Sequence, residues 1–104
     1  MYKICFYVPE ENLDSVKEAV FAAGGGRIGD YQKCAWQTRG LGQFMAMEDA
    51  NPHIGEVAKV EQVAEYKVEL VCEDDCIKAV IQALIETHPY EEPAYQVLKV
   101  ESIL

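Results

Sequence analysis

The apolar residues of this chain follow two different periods, and each period predicts a different kind of element. Residues 2–8 and 59–72 alternate apolar and polar side chains, which is the period of a β-strand with one buried face. Residues 95–100 form a further strand-like run. The residues predicted to face the core from the first two strands are Ile4, Phe6, Val8, Tyr66, Val68, Leu70 and Cys72.

Two other stretches repeat apolar residues every three or four positions, which predicts two amphipathic helices. The first helix is expected to end at the glycines of residues 24–26. The second has apolar residues at i, i+3, i+4, i+7 and i+8, the strongest helical pattern in the chain. The apolar stripes are Leu13, Val16, Ala19, Val20 and Ala23 in the first helix and Ile77, Val80, Ile81, Leu84 and Ile85 in the second.

All seven glycines lie in the middle of the chain, so tightly turned backbone is expected there. Residues 34–38 and 43–47 are predicted to be two short strands, joined by a hairpin turn at residues 39–42 whose glycines can take a positive φ. Trp36 and Phe44 on these strands are expected to be core residues rather than ligand contacts.

The predicted order is strand, helix, strand, strand, helix, strand, with the second strand split in two. This is the order of a ferredoxin-like βαββαβ sandwich, an α+β fold with an antiparallel sheet and both helices on one face. Residues 1–104 are expected to form a single domain. The other face of the sheet carries Cys5, Tyr7 and Val71 among charged residues, so we expect a homo-oligomer in which these faces meet.

The charge of the chain excludes several classes of partner. Nine basic and eighteen acidic residues give a formal charge of −9, which repels phosphate backbones and anionic lipid, so no nucleic-acid or membrane partner is expected. No apolar run approaches the roughly 20 residues of a membrane span, and no signal-peptide layout is present, so a cytoplasmic protein is predicted. The cysteines, expected to be small apolar residues, are Cys5, Cys34, Cys72 and Cys76.

Residues 88–95, His-Pro-Tyr-Glu-Glu-Pro-Ala-Tyr, connect the second helix to the last strand and are called the hinge below. Pro89 ends the helix because it lacks a backbone N–H and disfavours helical backbone at the residue before it. With Pro93 it fixes the direction of an aromatic ring and two carboxylates beside an imidazole. A stiff connection would need the same prolines, so structural and ligand-binding interpretations both stay open. The candidate ligand contacts are His88, Tyr90, Glu91 and Glu92.

Six short motifs occur in a fixed order along nearly the whole chain. They are Val8-Pro9-Glu10, AGGGRIGDY at residues 23–31, Cys34, GLGQF at residues 40–44, NPHIG at residues 51–55 and HPYEEPAY at residues 88–95. Together they resemble the domain inserted into YqfO-type members of the Nif-three-like family. The hinge alone is also similar to the CutA divalent-cation-tolerance proteins, so the glycine-rich middle separates the two groups.

The resemblance implies a ferredoxin-like fold similar to CutA and PII signalling proteins, and assembly into trimers, with dimers as the alternative. Arg27 and Tyr31 are further candidate ligand contacts. A lone guanidinium in a glycine cluster suits an anion or a carboxylate of another subunit. In longer family members this domain interrupts a larger domain that holds two metal ions. No such flanking domain is present in this sequence, so the domain is expected to stand alone, without the dinuclear ligands or a cyclohydrolase-like activity.

Four functions are left open, in order of preference. The first is a non-catalytic regulatory or ligand-binding module of CutA/PII type, whose clefts between subunits involve the middle segment and the hinge. The alternative is a divalent-metal-binding protein with His88 and Glu91, joined by Glu92 or His53, as ligands, and no other cofactor is expected. An enzyme is disfavoured because no orienting constellation is visible. The last is a domain that docks onto a protein partner.

Overall fold

The computed structural model describes residues 1–103, within which there are four β-strands and two α-helices. Each helix is preceded by a short 3₁₀ turn, at Glu10–Asn12 and at Asp74–Cys76. The order of elements confirms the predicted alternation of strands and helices. The elements are β1 Tyr2–Pro9, α1 Leu13–Ala22, β2 Trp36–Met45, β3 Val60–Cys72, α2 Ile77–Thr87 and β4 Tyr95–Lys99.

The strands form one sheet in the order β2-β3-β1-β4, and every neighbouring pair is antiparallel. The register places Tyr2 of β1 between Cys72 of β3 and Lys99 of β4. Both helices pack on one face of this sheet, because their apolar residues join a single buried cluster with the inward residues of β1 and β3. The fold is therefore the predicted ferredoxin-like α+β sandwich.

The core lies between the sheet and the two helices, and the predicted alternation locates it correctly. The inward residues of β1 from Ile4 to Val8 and of β3 from Val68 to Cys72 are buried, because alternate side chains of a strand point to the same face. The residues of this core with no exposed surface are Ile4, Phe6, Val8, Val16, Val20, Val68, Cys72, Val80 and Leu84.

The middle of the chain differs from the prediction, because β2 is one continuous strand and not two short strands around a hairpin turn. All ten residues of β2 pair with β3, including Gly40 opposite Glu65 and Gly42 opposite Val63. Neither glycine has a positive φ, so neither makes a turn. The long β3 offers a partner to every residue of β2, and this pairing outweighs the local turn preference of glycine.

The glycines of residues 24–26 end α1 as predicted, and Gly26 then forms backbone hydrogen bonds at the edge of the sheet. The Gly26 N–H donates a hydrogen bond of 2.8 Å to the Val71 carbonyl, and the Cys34 N–H donates one of 2.8 Å to the Gly26 carbonyl. Gly26 thereby lies beside β3 just beyond the point where β2 begins at Trp36. This glycine cluster is buried and serves the architecture of the sheet edge.

The helix-free side of the sheet, called the outer face below, is mixed in character. Trp36 lies there opposite Glu69 and is 69% exposed, so the prediction that it is a core residue is wrong. The helices cover only the opposite face, which leaves most of the Trp36 ring exposed. Phe44 is only partly buried for the same reason. Cys5, also on the outer face, is 6% exposed because Lys3 and Glu69 form an ion pair of 3.0 Å beside it.

Candidate functional site

The hinge occupies the place at which β1 loses one of its two strand partners. The His88 N–H still donates to the Leu84 carbonyl at 2.9 Å, but the His88 backbone is extended, as expected before a proline. β4 begins at Tyr95, opposite Phe6, so β1 has no β4 partner at Tyr7. The carbonyl of Tyr7 is therefore available to a residue of the hinge.

The His88 side chain forms a hydrogen bond with that carbonyl, and both of its ring nitrogens are hydrogen-bonded. Its Nε2 lies 2.6 Å from the Tyr7 carbonyl oxygen, and its Nδ1 lies 3.1 Å from the Tyr90 backbone N–H. Because the Tyr90 N–H can only donate, Nδ1 accepts, and the proton of the neutral ring must be on Nε2. The ring is only 7% exposed, and this burial lowers the pKa of His88 against the opposing effect of the Tyr7 carbonyl.

This arrangement predicts that His88 stabilises the fold above pH 6.5 and loses that effect in acid. A pKa below the ordinary value of 6.5 means that the unfolded chain takes up the proton first as the pH falls. The stability supplied by His88 is therefore complete above pH 6.5 and declines as the pH drops from 6.5 through the lowered value. Urea unfolding of the wild type and His88→Gln at about pH 7.5 and about pH 5.5 measures this, and the difference between them should shrink in acid.

The control for the pH experiment is Ser15→Ala, because Ser15 is an exposed residue of α1 that does not titrate. Its difference from the wild type should be the same at both pH values. A His88→Gln difference that is constant, or that grows in acid, would contradict the neutral assignment of His88.

Tyr90 forms the middle of the hinge and is fixed at its hydroxyl as well as its backbone. The hydroxyl donates a hydrogen bond of 2.8 Å to Oε2 of Glu65 on β3. Burial, followed by the hydrogen bond to this carboxylate, raises the pKa of Tyr90 well above its ordinary value of 10.0. Glu65 can reach Tyr90 because Gly42 leaves room: a Cβ at Gly42 would lie 1.8 Å from Glu65 Oε1. The absence of a side chain at Gly42 therefore leaves the space in which the carboxylate of Glu65 lies.

Alanine in place of Gly42 should displace Glu65 and free the Tyr90 hydroxyl while leaving the fold intact. The displaced atoms are the end of a flexible side chain, so the free energy of unfolding should change by less than about 1 kcal/mol. The pKa of Tyr90 should fall toward 10.0, which a pH titration of labelled tyrosine rings by nuclear magnetic resonance measures. Gly40→Ala is the matched control, because a Cβ there meets nothing within 4 Å. Identical Tyr90 titrations in both variants would contradict the claim that Gly42 leaves the space for the Glu65 carboxylate.

A pocket of about 320 Å³ lies on the outer face under the hinge, and we call it the hinge pocket. Glu91 ties the hinge to the loop that forms the far wall, because its Oε2 accepts a hydrogen bond of 2.9 Å from the Asn51 N–H. The Tyr90 ring centroid is 6.3 Å from that of Phe44 and 6.3 Å from that of His53. The side chains of the pocket used below are Phe44, His53, Glu65, Tyr90, Glu91 and Glu92.

The structure brings together four of the six residues proposed as ligand contacts. Tyr90, Glu91 and Glu92 line the hinge pocket, and His88 packs behind Tyr90 with ring centroids 4.8 Å apart. Arg27 lies elsewhere, in a cleft of about 190 Å³ that also includes Lys33. Tyr31 is 76% exposed and does not line the hinge pocket.

Phe44 and Glu65 line the hinge pocket and were not among the residues proposed from the sequence as contacts. The sequence signal for Phe44 is its spacing of two from Gly42, which puts a small residue and a ring on the same face of a strand. Glu65 could have been assigned to the outer face from the alternation of β3. Its meeting with Tyr90 depends on contacts between distant parts of the chain, which one sequence does not specify.

Within residues 1–103, no group of three or more histidine, cysteine, aspartate or glutamate side chains is arranged to hold a metal ion. His88 has no lone pair free to bind a metal in this conformation. Its Nδ1 accepts a hydrogen bond from the Tyr90 N–H, and its Nε2 carries the proton that it donates in a hydrogen bond to the Tyr7 carbonyl. The described residues also contain no helix with the length and hydropathy required to cross a membrane.

Curated relatives share this sequence over nearly its whole length. A protein of Mycobacterium tuberculosis named GTP cyclohydrolase 1 type 2 homolog is 48% identical over 95 residues, which are 91% of this chain and 25% of that protein. The Bacillus subtilis protein of the same name is 44% identical over 99 residues, 95% of this chain and 26% of that protein. The chain therefore spans about a quarter of the length of these relatives. No family model matches the chain.

Solved structures agree with the fold. The crystal structure of a Bacillus cereus protein related to NIF3 matches with a TM-score of 0.83 and 31% identity, over 97% of this chain and 26% of that one. CutA1 from Pyrococcus horikoshii matches with a TM-score of 0.71 and 17% identity, over 100% of this chain and 87% of that one. The second likeness concerns the fold alone, and the fold it supports is CutA/PII-like.

Proposed function

Because the chain is homologous over nearly its whole length to one segment of the Nif-three-like proteins, we propose that it is a ligand-binding, regulatory module of CutA/PII type. The observation that carries this proposal is the hinge pocket, whose wall is fixed by the hydrogen bonds that His88 and Tyr90 make within the protein. A wall that is already ordered costs little conformational entropy on binding, which favours recognition of a small molecule.

The groups of the hinge pocket suit binding better than proton transfer, so the proposed role is not catalytic. General acids and bases work best with a pKa near the operating pH. Here the pKa of His88 is lowered and that of Tyr90 is raised, so both move away from neutral pH. His88 also has both nitrogens engaged within the protein. The names of the longer relatives include a cyclohydrolase, but we do not propose that activity for this chain, which spans about a quarter of their length.

The test of ligand binding is a titration of isotopically labelled full chain with ATP, citrate, glucose, choline and zinc, followed by amide chemical shifts. At least one of these probes should shift the amides of the hinge and of residues 42–54 more than the rest of the chain. The same probe should lose this effect in Tyr90→Ala, which removes the ordered wall. Absence of any pocket-centred shift with all five probes would contradict the binding role.

A divalent-cation protein is the second candidate function, and one observation favours it. His53, Glu91 and Glu92 line the same pocket, and although they are not arranged as a ligand set in the described conformation, rotation of these side chains would bring an imidazole and carboxylates onto one ion. In this conformation a metal would take His53 rather than the originally favoured His88. Calorimetric titration of zinc, copper(II) and manganese would support the metal role if a stoichiometric site vanished in His53→Gln and persisted in His88→Gln. The absence of a stoichiometric site in the wild type would reject it.

We propose that the chain acts as a homo-oligomer, with a trimer expected before a dimer. The outer face exposes Trp36 and Leu98, and the end of the β2-β3 ribbon exposes Leu41, Met45 and Val60. Burying such apolar surface against a second copy is favourable by about 25 cal/mol per Å². Sedimentation velocity at micromolar concentration should show a mass near three times that of one chain, and a single-chain mass would overturn the proposal.

A pair of variants links the proposed assembly to the outer face. Trp36→Lys introduces a charge on the exposed ring position of β2 and should shift the sedimenting species toward one chain. Tyr31→Lys makes a comparable change at an exposed aromatic residue outside the sheet and should leave the mass unchanged.

We also propose a cytoplasmic location for the chain. It is supported by the four free cysteines, which are Cys5, Cys34, Cys72 and Cys76.

A further inference from the structure

We propose that the hinge pocket binds a small organic cation of the alkylated ammonium class, between the rings of Phe44, Tyr90 and His53 and the carboxylates of Glu65 and Glu91. This inference rests on the proposed ligand-binding function and names the chemical class of the ligand. It is carried by the combination of aromatic rings, carboxylates and cavity size in one place.

The first step concerns the rings. Tyr90 has Phe44 and His53 as neighbours, each with its centroid 6.3 Å away and its plane tilted by about half a right angle, at 50° and 51°. All three residues line the same cavity, so they form a bent aromatic wall rather than a closed stack. Ring faces attract cations within about 6 Å of the centroid, and several rings around one cavity suit alkylated ammonium groups.

The position of Tyr90 in this wall is maintained from behind and from the side. The His88 ring lies 4.8 Å from the Tyr90 ring, centroid to centroid, and accepts a hydrogen bond from the Tyr90 N–H. Glu65 holds the Tyr90 hydroxyl. Tyr90 is therefore set before a ligand arrives, and its ring is not free to turn out of the wall.

The second step concerns charge. Glu65, Glu91 and Glu92 line the hinge pocket, and among the described residues no lysine or arginine lines it. Glu65 and Glu91 each have one oxygen bound, by the Tyr90 hydroxyl and by the Asn51 N–H respectively. The pocket therefore presents negative charge that its own walls do not neutralise, within a chain of formal charge −9.

The third step is the choice among ligand classes. An anion would meet three carboxylates, and a neutral apolar molecule would leave them without a partner. A bare divalent ion needs several oxygen or nitrogen ligands at about 2 Å, whereas much of this wall is carbon. The volume of about 320 Å³ is at the lower end of the range for small-molecule sites. A compact organic cation uses both the rings and the carboxylates.

The test compares choline with its neutral isostere, 3,3-dimethylbutan-1-ol, on the full chain in its assembled state. The two molecules have the same shape and hydroxyl group and differ in the positive charge. Choline should shift the amides of the hinge and of residues 42–54, with an affinity at least roughly tenfold above that of the alcohol. Raising the salt concentration should weaken choline binding only moderately, because the site is partly enclosed.

Two variants locate the effect in the pocket and one controls for it. Phe44→Leu keeps an apolar side chain but removes a ring, and Glu65→Gln keeps an acceptor for Tyr90 but removes a charge. Each should weaken choline binding roughly fivefold or more and leave binding of the alcohol unchanged. Tyr31→Leu removes an exposed ring that does not line the pocket and should have no effect.

The remaining outcomes each overturn the inference. Equal affinities for choline and the alcohol would show an apolar pocket without cation selectivity. Choline binding that survives both pocket variants would place the site elsewhere. Pocket shifts with ATP or citrate but not with choline would refute the cation class and leave the ligand-binding function standing. An absence of pocket shifts with all of these probes would refute both.

Discussion

Alanine in place of Gly26 is expected to lower the free energy of unfolding by about 2–4 kcal/mol, although it adds only one methyl group. Gly26 has a φ of +77°, which side chains other than hydrogen rarely tolerate. A Cβ there would lie 2.8 Å from the Cys34 carbonyl oxygen and 3.0 Å from the Phe21 ring. The carbonyl is backbone and cannot move without breaking the hydrogen bonds that attach Gly26 to Val71 and Cys34.

Urea unfolding of Gly26→Ala and Gly29→Ala separates the two causes of this loss. Gly29 also has a positive φ, of +56°, but a Cβ there meets nothing within 4 Å. Gly29→Ala should therefore cost only the backbone strain, on the order of 1 kcal/mol. Equal losses in the two variants would mean that crowding at the sheet edge plays no part. A Gly26→Ala variant as stable as the wild type would contradict the role assigned to this edge.

The elements that could be predicted from the sequence are those whose own side chains determine their burial. The alternation around Ile4, Phe6 and Val8 identifies β1, because each apolar residue faces the helices and each neighbour faces away. The repeat that includes Val80 and Leu84 identifies α2 in the same way. In these segments local periodicity and tertiary packing agree, so the pattern of one segment is sufficient.

β2 could not be predicted correctly, because its conformation depends on a partner far away in the chain. Gly40 and Gly42 have the composition of a turn, but Glu65 and Val63 of β3 pair with them and keep the strand extended. The position of Trp36 on a predicted short strand favours the core, yet its burial depends on which face of the sheet the helices cover. Both errors have the same cause: the conformation and burial of these residues depend on the register between strands, which the sequence of the segment alone does not specify.

The candidate site was predictable to a similar extent. Pro89 and Pro93 mark the hinge in the sequence, and Tyr90, Glu91 and Glu92 do line a pocket. The pocket is completed by residues from β2 and β3 and the loop between them, which periodicity cannot place beside the hinge. The charge of Arg27 and the glycines around it favour a ligand contact, but Arg27 lies in a separate cleft and Gly26 fixes the sheet edge.

Leucine in place of His88 is expected to lower the free energy of unfolding by about 2–4 kcal/mol and to disorder the wall of the hinge pocket. The substitution keeps an apolar body in a site that is 7% exposed, but it leaves the Tyr7 carbonyl and the Tyr90 N–H without their partner. Each buried polar group without a partner costs roughly 1–3 kcal/mol. The Tyr90 ring also loses the ring packed behind it.

His88→Gln is the matched variant, because its amide can still donate to the Tyr7 carbonyl while it gives up the acceptor for the Tyr90 N–H. Urea unfolding should rank the wild type above His88→Gln and His88→Gln above His88→Leu, with the glutamine variant losing about half as much. Amide hydrogen exchange at Tyr90 should accelerate in both variants, because its N–H no longer reaches Nδ1. If His88→Leu were as stable as the wild type and Tyr90 stayed protected, the hinge would be held by its prolines alone, and His88 would have no part in building the pocket.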